Sequence, residues 1–286
     1  MLGPDDLALL SRVSLVYRHP HRGLNPGERR SPRFARSAEF ADFRPYVAGD
    51  DLRQIDWRAF ARSDRLMVRL YVAEDEAALN VVVDDSASMQ FGSPSKWSAA
   101  QRLATAVAFL GLATMDRVAI GTLAPPGAHI PHARRGGGTG RLLRFLPGRP
   151  AAGGAGPDDL GGLRWLKPGL TVVISDFLVD APWSNALAML RAARQQLVLW
   201  QVLSPEEEHP RLSGDVRLRD AESRQGQEMT ITPRVIDDYR HALAQHRQGL
   251  RRQAAAVDGR FLHTLSSDDL QRSMLGAMAA GIIGRA

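Results

Sequence analysis

The sequence predicts an α/β protein with a mostly parallel central sheet and helices on both faces, preceded by an N-terminal extension. Three observations predict it. From residue 79 onward, short runs rich in Val, Ile and Leu alternate with stretches of helical periodicity. That is the pattern of buried strands joined by crossover helices. Two of the runs end in aspartate, VVVDDSAS at Asp84 and VVISDF at Asp176. In doubly wound sheets, ligands sit beyond the carboxyl ends of the strands. Finally, 286 residues of which 44% are hydrophobic are enough to bury one large core or two modest ones.

The elements follow in order. Residues 1–75 are loop-rich and charged, and are expected to form an N-terminal arginine-rich segment; within them, 64–72 alternates enough for a strand. Residues 76–286 are expected to form the α/β domain. Its first strand is 79–84. Ser93-Pro94 reads as a helix start, serine capping and proline at the first helical position. Trp97, Ala100, Leu103, Ala104, Val107 and Leu110 then supply one apolar face. Strands follow at 117–123, 170–177 and 196–203, with a short antiparallel edge strand near 128–133. Helices are expected at 181–194 and 235–256, then a short strand at 261–265 and a last helix at 268–280. The Gly/Pro-rich stretch 147–157 reads as a surface loop.

Composition excludes several chemistries. There is no cysteine, which removes disulfides, Cys-zinc sites, iron–sulfur clusters and thiol catalysis. MLGPDDLALL places acid where a secretory leader carries base, and no apolar run reaches the roughly 20 residues of a membrane span. The expectation is therefore a cytoplasmic protein. Net charge is +6, almost all from arginine, since lysine occurs only at Lys96 and Lys167. Arginines cluster in 12–36 and 134–149. Each run can dock an acidic partner or nucleic acid, but no aromatic interleaving or helix-turn-helix pattern accompanies them.

The chemistry-bearing residues gather at strand ends. Asp84 and Asp176 can meet at one edge of the sheet. Ser86 and Ser88 follow Asp84 at a spacing of two, so one turn can aim both hydroxyls the same way. Thr139, bracketed by glycines in GGGTGR, sits on a loop that can approach closely. Two carboxylates and three hydroxyls are hard oxygen donors, which suit Mg2+ or Mn2+ rather than zinc. With neutral hydroxyls in the set, such a cation stays electrophilic, and a carboxylate from another protein can complete its coordination. Taken alone, DDSAS is also what turn and capping chemistry asks for.

Asp84-x-Ser86-x-Ser88, Thr139 and Asp176 resemble the metal-ion-dependent adhesion site of von Willebrand factor A domains. The stretch SAEFADFRPYVAGDDLRQIDWRAFARSDRLMVR, residues 37–69, resembles the signature of the bacterial domain-of-unknown-function family fifty-eight. The resemblance implies a von Willebrand A-like fold and a non-enzymatic, Mg2+-dependent protein-interaction module. It implies partnership with a MoxR-type AAA+ ATPase or that ATPase's client, supplying an Asp or Glu to the metal. It also implies that the serines and the threonine contact the ion while the aspartates act largely through water.

Other readings weigh less. A receiver domain needs a phosphoacceptor and a lysine on later strands, and neither lysine is so placed. GGGTGR lacks the GK[ST] end of a phosphate loop, and no nucleophile elbow occurs. A metal-dependent phosphoester hydrolase using the same carboxylates would need a catalytic base, and none is found. Arginine-mediated nucleic-acid binding is the third alternative. In and just after the stretch 46–57, Asp50, Asp51, Arg53, Asp56, Arg58 and Arg62 suggest an internal ion-pair network, with Trp57 and Phe60 buried against the sheet. The competing expectation makes Arg53, Asp56, Trp57 and Arg62 a partner-docking surface.

Overall fold

A computed structural model describes residues 2–16, 38–50, 52–73, 78–114, 117–123, 128–133, 139–146, 151, 153–154, 156–179, 181–222 and 224–285. Residues 17–36 of the first arginine run, and 134–138 and 147–149 of the second, lie outside these residues. The chain divides into two units, one comprising 1–21 with 77–286 and the other 22–76.

The larger unit opens with α1 (Pro4–Leu10) and β1 (Val13–Leu15). The smaller contributes β2 (Ala38–Pro45), α2 (Trp57–Ser63) and β3 (Met67–Ala73). The larger then continues through β4 (Ala78–Val83), α3 (Lys96–Thr114), β5 (Arg117–Thr122), β6 (His129–Ala133), α4 (Thr139–Leu143), α5 (Pro157–Gly162) and β7 (Gly169–Ser175). After these come α6 (Ser184–Ala192), β8 (Gln195–Leu203), α7 (Pro205–Glu208), β9 (Gly214–Arg219), β10 (Gly226–Ile231), α8 (Pro233–Ala256), β11 (Arg260–Leu265), α9 (Leu270–Ala279) and β12 (Ile283–Arg285).

The larger unit is an α/β fold around a mixed sheet ordered β11-β8-β7-β4-β5-β6. All neighbours are parallel except β6, which runs antiparallel on β5 as the edge strand. Strand alternation splits the core in two. Leu79, Val81, Val83, Leu170, Val172, Ile174, Val198, Trp200 and Val202 face α1, α3 and α9, while Val82, Val173, Leu197 and Leu199 face α6 and α8. Burial on both faces explains the unbroken apolar runs of the inner strands. Each large aliphatic side chain so buried contributes roughly 1.5–3 kcal/mol.

Several departures from sequence expectation have local causes. Helix α3 begins at Lys96, not at Ser93-Pro94. Ser95 caps it, accepting from the Ser98 amide at 3.2 Å, and 93–95 remain in the turn that precedes it. The N-terminal residues through Leu15 pack into the larger unit, because Leu10 and Leu15 are buried there and β1 pairs with β12. The β9–β10 hairpin was invisible to periodicity because nearly all its side chains are exposed.

In the smaller unit β2 and β3 pair antiparallel with a bulge near Phe40 and Asp42. Of the residues expected to form an ion-pair network, Asp50 pairs with Arg44 at 2.6 Å; Asp51 lies outside the described residues. That arginine holds the Asp50 carboxyl down at about 2. Trp57 is 60% exposed, so it is not buried as expected; it meets the Phe60 ring edge-on at 6.2 Å.

Candidate functional site

Strand β4 carries the chain outward at its carboxyl end, and the Asp84 amide still bonds the Ile174 carbonyl of β7 at 2.8 Å. Ladder pairing thus fixes the start of the DDSAS loop beside the end of β7. A 3-10 turn over Ala87–Gln90 follows, pinned by the fully buried Met89. Gly92 is required next. Its φ is +94°, and a Cβ there would stand 2.4 Å from the Ser204 Cβ. Only glycine lets the loop pass this close to the β8–α7 turn while turning left-handed. The Lys96 amide then bonds the Phe91 carbonyl, and α3 starts under the site.

Four of the five expected donors come together. Asp84 is buried; its Oδ1 accepts from the Ser86 amide at 2.8 Å and its Oδ2 from the Ser175 hydroxyl at 2.6 Å. The Ser86 and Ser88 hydroxyls lie 3.0 Å apart. Ser88 Oγ donates to Asp176 Oδ2 at 3.0 Å. Asp176 is held in turn, its Oδ1 accepting from the Leu178 amide and its carbonyl from Gln201 Nε2. Thr139, the fifth, is half-buried at the start of α4, and among the described residues no hydrogen bond joins it to this group.

The environment is charged and largely buried. Burial, then the neighbouring Asp176 charge, pushes the Asp84 carboxyl up to about 6. A residue that sequence reasoning missed sits at the centre. Lys96 is fully buried, its Nζ 2.7 Å from Asp176 Oδ2 and 2.5 Å from Glu207 Oε1. Burial alone would lower its pKa, but the two carboxylates outweigh that and hold it above the ordinary lysine range. Glu207 is positioned by a capping box on α7, its Oε2 accepting from the Ser204 amide while Ser204 Oγ accepts from the Glu207 amide. Two signals were available in sequence: Lys96 is one of only two lysines, and Ser204-Pro205-Glu206-Glu207 spells the box. Neither says that they meet.

The rim is polar as well. The Ala87 amide bonds the Gly153 carbonyl at 2.7 Å, laying that segment over the serine loop. Glu222, beyond β9, rests against the adjacent Gly154. Partial burial, then the charge of Asp176, raises the Glu222 pKa. Beyond Glu207, Glu208 pairs with Arg247 and has the His263 ring 3.4 Å away, at one side of a 380 Å³ cleft lined also by Asp268 and Arg272.

The donor set can be tested against a hard divalent ion. Ser86 Oγ to Ser88 Oγ and Ser88 Oγ to Asp176 Oδ2 are both 3.0 Å. Adjacent oxygens of an octahedron with roughly 2.1 Å metal–oxygen bonds are separated by about 3 Å. These three oxygens are of the type such an ion takes, the two separations match its ligand spacing, and Lys96 shares one of the oxygens. Among the described residues there is no group of three or more His, Cys, Asp and Glu arranged to hold a metal ion. The other expected surface, in the smaller unit, presents Arg53, Trp57 and Arg62 to solvent. Asp56 points inward as the cap of α2, accepting from the Arg58 and Ala59 amides.

Comparison with known proteins adds the following. A family model described as "Protein of unknown function DUF58" matches residues 42–249. The uncharacterized protein Rv1480 of Mycobacterium tuberculosis is 33% identical over 260 residues, 86% of this chain and 78% of that protein. One from Mycobacterium avium is 33% identical over 124 residues, 42% of this chain and 72% of that one. Among solved structures, the conserved hypothetical protein BatB of Bacteroides thetaiotaomicron aligns with TM-score 0.44 at 14% identity, covering 71% of this chain and 97% of its own. Manganese-loaded TRAP protein of Plasmodium vivax aligns with TM-score 0.33 at 12% identity, covering 46% and 58%. No helix among the described residues is long and apolar enough to cross a membrane.

Proposed function

Since this chain belongs to the DUF58 family, we propose that its larger unit is a von Willebrand A-like, non-enzymatic protein-interaction module that works through a divalent cation. Asp84, Ser86, Ser88 and Asp176 hold Mg2+ or Mn2+, with Thr139 as a further donor. An Asp or Glu of the partner completes the coordination. The partner is a MoxR-type AAA+ ATPase or a client that such an ATPase remodels, as the resemblance over residues 37–69 implies.

One observation supports this reading above the others. At the carboxyl edge of the sheet, Ser88 Oγ stands 3.0 Å from Ser86 Oγ of its own loop and 3.0 Å from Asp176 Oδ2 at a second strand end. Their chemistry is that of a hard-cation site, with neutral donors leaving charge on the metal for an outside ligand. When bound, the cation supplies an electrophilic centre for an acidic side chain. This chain's residues orient it, and the buried backbone around Asp84 and Asp176 keeps the donors in place.

Affinity capture from lysate tests the proposal, run with MgCl2 and with EDTA for the wild type and Asp84→Ala. The expected result is an AAA+ ATPase or its client retained by the wild type in Mg2+ alone. Equal capture under all four conditions removes the metal from the interaction.

A further inference from the structure

Lysine is among the side chains least often fully buried unless it is paired, and Lys96 has no solvent exposure at all. It sits at the first turn of α3, directly after the loop that carries Ser86 and Ser88. Its ammonium reaches Asp176 Oδ2, the same oxygen that accepts from Ser88. A positive charge therefore already stands on the carboxylate that would hold the cation. Glu207, the other partner of Lys96, has its second oxygen tied to the Ser204 amide. Its charge is engaged by the ammonium and the start of α7, and no hydrogen bond joins it to Ser86 or Ser88 among the described residues.

This arrangement has a consequence for any ion beside Asp176. The ammonium and an ion held through Asp176 would draw on one carboxylate, and in a buried site two like charges a few ångströms apart repel far more than in water. Resting on the metal reading above, we infer that Lys96 is the affinity-setting residue of the cation site. Its ammonium holds the charge of Asp176 when no divalent ion is bound and competes with one that arrives. The site then retains Mg2+ weakly until an acidic side chain of a partner adds its own negative charge. Such coupling makes cation and partner bind together, since each raises the affinity of the other by the same factor.

Isothermal titration of the full chain with MnCl2, and separately with MgCl2, tests this on the wild type, Lys96→Met and Lys96→Gln. The Gln variant keeps hydrogen-bond donors toward Asp176 and Glu207 and serves if Met prevents folding. The expected result is a Kd at least tenfold lower in the variant than in the wild type, together with a larger thermal shift at saturating metal. A purely structural lysine would move both readouts the other way, because a damaged site binds less. Equal or weaker metal affinity in a folded variant, with measurable binding by the wild type, overturns the inference and leaves the metal reading standing. Absence of binding to all three proteins at millimolar metal overturns the metal reading, and the inference with it.

Discussion

At the residue scale, Asp84 carries the sharpest consequence. Its carboxyl titrates at about 6 because it is buried and faces Asp176. The folded chain holds that proton more tightly than the unfolded chain, whose aspartate titrates near 4. This group therefore favours folding below about pH 4, and the contribution fades as pH rises to about 6. Across that window the stability falls by up to about 3 kcal/mol in all, and above it this group adds no further change. Asp84→Asn should raise the melting temperature in EDTA at pH 7.5, with the gain vanishing toward pH 4. In MgCl2 the wild type should be stabilised and the Asn variant should not. Scanning calorimetry across pH, with and without metal, checks both signs. Phe177 shows how the neighbouring acid is fixed. Its φ of +55° is unfavourable for a side chain of that size. The ring is nevertheless buried, meeting Trp183 edge-on at 5.0 Å, and packing holds the twist that directly follows Asp176.

At the scale of elements, the two edges of the sheet are built differently. The carboxyl edge gathers charge; the amino edge is closed by a buried amide network. Asn80 Nδ2 on β4 donates to the Lys167 carbonyl at 2.8 Å, Thr171 Oγ1 at 3.0 Å and Gln195 Oε1 at 3.2 Å, and its Oδ1 accepts from the Lys167 amide. One side chain thereby ties β4, β7 and β8 together. Asn80→Val favours strand propensity yet strands these partners, so we expect a loss of roughly 1–3 kcal/mol in urea denaturation. A gain or no change would show that water satisfies them instead. The cap of α2 was equally hard to foresee. Asp56 reads as one charge among many in Asp-Trp-Arg, and only the fold makes it the acceptor for two helix amides.

At the scale of the whole molecule, the N-terminus is part of the core. Leu10 and Leu15 are buried, and β1 lies against β12 near the opposite end of the chain. Removing residues 1–16 withdraws two large aliphatic groups, about 3–6 kcal/mol. That is comparable to the 5–15 kcal/mol that holds an ordinary domain together. Urea unfolding of the truncated chain should show a large drop in midpoint, and an unchanged midpoint would place the stability elsewhere. The expectation of one N-terminal segment over 1–75 had no means of seeing this pairing. VSL at 13–15 is too short for periodicity, and its partner is more than 260 residues away.

The six strands of the central sheet, the helices α3, α6, α8 and α9 between and after them, the antiparallel edge strand, and the placement of Asp84, Ser86, Ser88 and Asp176 at strand ends were legible in the sequence alone, whereas α4, α5, α7, β9, β10 and β12 were not. The legible features are written in local pattern: apolar runs, helical spacing, and acids that end a run. Tertiary structure alone decided that Lys96 and Glu207 enter the same site, that Asp56 turns inward, and that Trp57 faces solvent. Charge pairing, capping and burial depend on which distant segments become neighbours. A buried ammonium is stable only because two carboxylates, about 80 and 110 residues further along the chain, fold up against it.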